Sequence, residues 1–154
     1  MTDIAGRVAV VLTGDEWPGS LRALRGAAWV EVRLDLFLAA RPGGDPLRWI
    51  DFVRRAVDGR IIATVRSARE SGGRGRGIPE AKRLDVYRTV ARSADYLDVE
   101  LESAIAPAVV EEARSAGRKT ILSVHDFSRT PAAAAIAASA ARCRRRGGDV
   151  FKIA

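Results

Sequence analysis

The sequence predicts an α/β fold built on a parallel sheet, and three observations carry that prediction. Short apolar or alternating runs recur along the chain, helical patterns fill the intervals, and no linker, composition break or low-complexity tract interrupts the rhythm. Parallel neighbours need a crossover of a dozen or more residues, usually a helix, so the alternation reads as successive βαβ units. A chain of 154 residues suits one domain, residues 1–154, with a sizeable core.

The first strand is expected at Val8 to Thr13 and the second at Trp29 to Phe37. Asp45-Pro46 then supplies an N-cap and a first-turn proline, and Leu47, Ile50, Val53 and Val57 follow at helical spacing. A third strand, Ile61 to Ser67, leads into the glycine-rich stretch GGRGRG, which reads as a solvated loop. Pro79 opens a helix with Leu84, Tyr87, Val90 and Ala91 on one face, and Tyr96 to Leu101 is the fourth strand. Ile105 to Ala116 is a helix stopped by Gly117, and Thr120 to Phe127 is the fifth strand. Thr130-Pro131 opens an alanine-rich helix that ends before Gly147, and Val150 to Ala154 is the sixth strand.

The formal charge is +7, from 26 Lys and Arg against 19 Asp and Glu, which raises the question of a nucleic-acid partner. The distribution argues against a specific one. Arg142 and Arg144 to Arg146 cluster at the end of a helix closed by Gly147, where cations meet the negative end of the macrodipole. Arg74 and Arg76 have no aromatic neighbour on which a base could stack. The single cysteine, Cys143, forms no internal disulfide, and no Cys and His cluster at zinc spacing is present. The run Val8 to Leu12 is too short for a signal segment or a membrane span. A cytoplasmic protein without metal is the expectation.

Strand faces refine the fold class. In an open sheet covered on both sides, central strands are nearly continuous apolar runs. Here Glu31, Arg33 and Asp35 alternate with Val32 and Leu34, and Thr64 and Arg66 flank Val65. Tyr96, Asp98 and Glu100 alternate with Leu97, Val99 and Leu101, Ser123 and His125 with Leu122 and Val124, and Lys152 lies between Phe151 and Ile153. One apolar face suits helices, and the opposite charged face suits a shared interior, as in a (β/α)₈ barrel with its active-site mouth at the C-terminal ends of the strands. From Val8 to Val150 five units take 142 residues, about 28 each, against roughly 30 in an eight-unit barrel. The expected fold is therefore a TIM barrel of which this chain holds about six strands, truncated at its C-terminal end. Closure would take further units, without which little activity is expected.

Two residues on the polar face stand out. His125 is the only histidine in the chain and precedes a loop at the end of a strand. The chain has three lysines, Lys82, Lys119 and Lys152, among its 26 cations, so an inward lysine does something arginine cannot. A lysine can lose its proton and attack a carbonyl, whereas a guanidinium stays charged; desolvation and neighbouring cations would lower its pKa. The resulting protonated imine is an electron sink, and a nearby histidine can remove the adjacent proton. Imine-assisted elimination or aldol-type chemistry is the expectation.

Five stretches, EVRLD (Glu31 to Asp35), TVRSARESGG (Thr64 to Gly73), DYLDVEL (Asp95 to Leu101), SVHDFSRTP (Ser123 to Pro131) and DVFKIA (Asp149 to Ala154), resemble the successive motifs of type I 3-dehydroquinate dehydratase. The resemblance implies that Lys152 forms an imine with the ketone of 3-dehydroquinate and that His125 acts as general acid and base. It implies that Glu70 orients His125, and that Glu31, Arg33 and Arg66 hold the substrate hydroxyls. The product would be 3-dehydroshikimate, in the shikimate route to aromatic amino acids. No cofactor is implied, and the resemblance allows a homodimer. Ser71 stands where the family usually has glycine; a left-handed backbone there would cost about 1 kcal/mol and loosen Glu70. The group that binds the substrate carboxylate in the family has no counterpart in this sequence. The alternatives are an inactive barrel fragment, another imine-forming barrel such as a class I aldolase, or a basic binding module.

Overall fold

A computed structural model of the chain describes residues 9–14, 21, 24, 26–71 and 77–154. Val8, Arg74 and Arg76 lie outside the described residues. Six strands form one all-parallel sheet in sequence order: β1 (Ala9–Leu12), β2 (Trp29–Arg33), β3 (Arg60–Thr64), β4 (Tyr96–Glu100), β5 (Lys119–Val124) and β6 (Val150–Ile153). Among the described residues β1 and β6 are its two edges, so the sheet is a half-barrel. Between the strands lie α1 (Leu34–Ala40), α2 (Pro46–Ala56), α3 (Glu80–Val90), α4 (Ala106–Ser115) and α5 (Ala133–Arg145).

The apolar strand face forms the main core. Val30, Val32, Ile61, Ala63, Leu97, Val99 and Leu122 pack with Ile50 and Val53 of α2, Tyr87 and Val90 of α3, and Val109 and Ala113 of α4. Each fully buried aliphatic side chain here contributes roughly 1.5–3 kcal/mol. The opposite face is layered. Trp29, Ile62, Tyr96 and Ile121 make an apolar floor at the N-terminal end of the strands, with the Trp29 and Tyr96 rings 5.1 Å apart. Two residues further along each strand, Glu31, Thr64, Asp98, Ser123 and Lys152 make a polar layer above it.

Local chemistry explains the ends of several elements. Asp45 caps α2 by accepting from Leu47 N and Arg48 N at 2.9 and 3.2 Å, with Pro46 in the first turn, as the sequence suggested. Gly117 and Gly147 follow α4 and α5 with φ of 68° and 79°, which a side chain would oppose. An aspartate precedes both β4 and β6 and ties down the neighbouring strand. Asp95 accepts from Ile61 N at 2.7 Å, and Asp149 accepts from Thr120 N at 2.8 Å.

Four expectations require correction. The strand expected at Trp29 to Phe37 ends at Arg33, and α1 starts at the next residue. Leu34, Phe37 and Leu38 recur at helical spacing against the core, and this overrides the period-two pattern. Asp35 is therefore a first-turn helical residue rather than a strand residue. β3 stops at Thr64 and β5 at Val124, each three residues short of the expected end. The alanine-rich helix begins at Ala133, beyond Thr130-Pro131, with no side-chain cap. On α3 the expected face is found, with Leu84 partly buried against the same core as Tyr87, Val90 and Ala91, and Arg83 joins it fully buried.

Candidate active site

Glu31, Arg33, Arg66, Glu70, His125 and Lys152, the six residues singled out in the sequence, line one cavity of about 440 Å³. β2 supplies Glu31 and Arg33, the segment after β3 supplies Arg66 and Glu70, His125 directly follows the end of β5, and Lys152 stands near the C-terminal end of β6. Ser71, Val11, Phe127 and Ala154 complete the lining.

Lys152 Nζ donates to Glu31 Oε2 and to Asp98 Oδ2, both at 3.0 Å, and its side chain remains 30% exposed to the cavity. Burial works to lower the ammonium pKa, but the charges of Asp98 and Glu31 outweigh it and hold the pKa above its ordinary value. The resting Lys152 is thus protonated, the reverse of the lowered value expected from desolvation and neighbouring cations.

Asp98 is fully buried and takes Lys152 on one oxygen and Ser123 Oγ (2.7 Å) and Arg66 Nη2 (3.2 Å) on the other. Burial opposes its charge; Arg66 and Lys152 overcome this and keep its pKa below the ordinary range. Arg66 is 4% exposed and lies within 4 Å of three carboxylates: Glu31 at 3.8 Å, Asp98 at 3.2 Å and Glu100 at 3.7 Å. Glu31 also accepts from Thr64 Oγ1 at 2.8 Å. Arg33 forms a two-pronged pair with Asp35 at 2.9 and 2.7 Å.

His125 is held by Glu70. One carboxylate oxygen of Glu70 lies 3.1 Å from both the backbone N and Nδ1 of His125. An Nδ1–H directed at a carboxylate leaves Nε2 as the acceptor nitrogen of the neutral ring, available to a molecule in the cavity. Glu70 ends a short 3₁₀ turn, Ala68–Glu70, which is followed by Ser71. Ser71 has φ −93° and donates its hydroxyl to Ala68 O at 2.9 Å, so the expected left-handed strain is absent. The serine closes the turn instead of loosening it.

Sequence reasoning placed Asp98 and Ser123 on the inner face but gave them no role, and it missed Asp35 and Arg83 as organisers of the site. Asp35 accepts from Arg66 N at 3.1 Å, and Arg83 is fully buried beside Glu100. Among the described residues no group of three or more His, Cys, Asp or Glu could hold a metal ion, and no helix is long and apolar enough to cross a membrane.

The charged interior yields a stability prediction. Asp98 and Glu100 have pKa values lowered by their cationic partners, so their contribution is complete above about pH 5 and is lost as acid protonates them. Lys152 has a raised pKa, so its contribution is complete below the ordinary lysine value of 10.5 and is lost as pH climbs past the raised one. Urea midpoints should be flat across neutral pH and fall at both extremes. Asp98→Asn should flatten the acid limb; an acid limb identical to that of the parent chain would remove Asp98 from this account.

Fold and site together define a (β/α)-barrel chain with a lysine–histidine centre at the C-terminal ends of its strands. The chain belongs to the type I 3-dehydroquinase family, whose sequence profile matches residues 9–154. It is 36% identical over 154 aligned positions to the 3-dehydroquinate dehydratase of Aromatoleum aromaticum, covering 84% of this chain and 57% of that protein. It is 29% identical over 153 positions to the enzyme of Methanosarcina acetivorans, covering 97% of this chain and 63% of that one. The crystal structure of the 3-dehydroquinate dehydratase from Aquifex aeolicus superposes with a TM-score of 0.79 at 26% identity, over 96% of this chain and 66% of that chain. The chain thus spans about three-fifths of the length of these relatives.

Proposed function

We propose that this chain carries the reacting lysine and histidine of a lyase that dehydrates 3-dehydroquinate to 3-dehydroshikimate in the shikimate pathway. The observation that carries the reading is the shared cavity: Lys152 Nζ, in contact with Glu31 and Asp98, opens onto the same space as His125, whose Nδ1 is fixed by Glu70.

The chemistry follows from these positions. Lys152 passes a proton to one of its two carboxylates and adds to the substrate ketone, and the carbinolamine expels water to give a protonated imine. His125 Nε2 removes a proton from the adjacent carbon, and the electron pair moves into the imine nitrogen as an enamine. Return of that pair expels the β-hydroxyl, which leaves as water with the proton that His125 holds. Hydrolysis of the conjugated imine then releases product and restores the lysine. Arg33 and Glu31 face the cavity as candidates to hold substrate hydroxyls, with Arg66 behind them. A cytoplasmic location and homodimeric assembly belong to the same reading.

Borohydride added with 3-dehydroquinate or 3-dehydroshikimate, to a form of the protein that binds ligand, is expected to leave one stable adduct on Lys152. Peptide mapping that located the label on Lys82 or Lys119 would reject the assignment.

A further inference from the structure

We propose that Arg83 and Tyr87, one turn apart on α3, are positioning residues that set the contact between Glu70 and His125. This rests on reading His125 as the proton-transfer group. The ladder of β3 ends at Thr64, and the segment 65–67 then runs free of the sheet into the turn that carries Glu70. Side chains take over its backbone groups. Val65 N donates to Tyr87 Oη at 3.1 Å, and Val65 O accepts from Arg83 Nε and Nη2 at 2.9 and 2.7 Å. Arg66 N donates to Asp35, and Ser67 N donates to Glu100 Oε1 at 2.6 Å. The other Glu100 oxygen accepts from Arg83 Nη2. Arg83 therefore grips this segment twice, directly at Val65 and through Glu100 at Ser67.

The rest of the guanidinium is equally committed. Nη1 donates to Glu80 Oε1 at 2.6 Å and to Ser103 Oγ at 3.3 Å, so all three of its nitrogens are engaged. Tyr87 Oη donates to Asp98 O, joining the clamp to the strand that carries the Lys152 partner. Arg83 and Tyr87 are both 0% exposed. A cation at that depth carries a desolvation cost of several kcal/mol, and breaking such a pair is worse than never having built it. A plain attachment of α3 to the sheet needs only apolar contact. A fork that spans a carbonyl and two carboxylates instead fixes a direction.

The test uses the uniqueness of His125 in the sequence: its Nδ1 nitrogen gives one imidazole resonance of its kind in an ¹⁵N spectrum. Glu70→Gln provides the reference for a weakened contact. Arg83→Lys keeps the charge on a single nitrogen that cannot span the same acceptors, and Tyr87→Phe removes only the hydroxyl. Both variants are expected to move the Nδ1 resonance from its parent position toward that of Glu70→Gln. A folded variant of either kind with the parent resonance overturns the clamp as a positioning device. Failure of both to fold overturns it too, because the pair would then be a requirement of folding. Loss of borohydride capture by the parent chain, with the resonance still responding to these substitutions, would reject the dehydratase reading alone.

Discussion

Arg66→Ala is expected to lower folding stability by about 3–5 kcal/mol, the range for removing one partner from a buried ion pair. One 4%-exposed guanidinium serves Glu31, Asp98 and Glu100 and donates to Ser123 Oγ at 2.8 Å. Truncation leaves Asp98 with Lys152 and Glu100 with Arg83, so no carboxylate is stranded completely, but every one loses a cation. The loss should be smaller in an Asp98→Asn background, with a coupling of about 0.5–3 kcal/mol between the two changes. Urea titrations of the four chains give that coupling. A single-variant loss below about 1 kcal/mol, the size of an exposed pair, would mean that solvent reaches this cluster.

The second large effect falls on His125. His125→Ala is expected to slow dehydration by about 10²–10⁴, the usual contribution of general acid–base catalysis, while Lys152 still captures ligand under borohydride. The split follows from geometry. Lys152 has its own proton acceptors in Glu31 and Asp98, both at 3.0 Å, whereas the imidazole is held through Glu70. Rates of turnover and of capture, measured on the same ligand-binding form, separate the two roles. Turnover near that of the parent chain would leave His125 a hydrogen-bonding residue.

Much of the architecture was legible because two periods rarely coincide. Leu97 and Val99 against Asp98 and Glu100 could only be a strand with unlike faces, and Asp45-Pro46 could only begin a helix. The scarcity of lysine pointed to Lys152, and the position of His125 after a strand pointed to the mouth. Where two periods overlap, the reading failed: EVRLDLF alternates well enough to pass for a strand, and only contact of Leu34 and Phe37 with the core decides for a helix. Arg83 was missed for a different reason. It lies four residues before Tyr87 and seven before Val90, on the buried stripe of α3, so a charge at an apolar position was the available signal. The protonation of Lys152 depends on which carboxylates the register brings beside it, and Asp98 reaches it from a strand two places away. Strand pattern alone does not contain that distance.

The junction between β2 and α1 has no intervening residue, and this sets how the mouth can change length over evolutionary time. One inserted residue would turn α1 by about 100° and advance it about 1.5 Å. Asp35 would swing away from both Arg66 N and the Arg33 guanidinium. By contrast, residues 125–132 connect β5 to α5 without regular structure, and Phe127 to Arg129 are exposed. Extra residues there would leave His125 on its strand end and α5 on its sheet. The β2–α1 junction is thus closed to insertion, whereas the connection after β5 has room for a new lid or a changed substrate contact to grow.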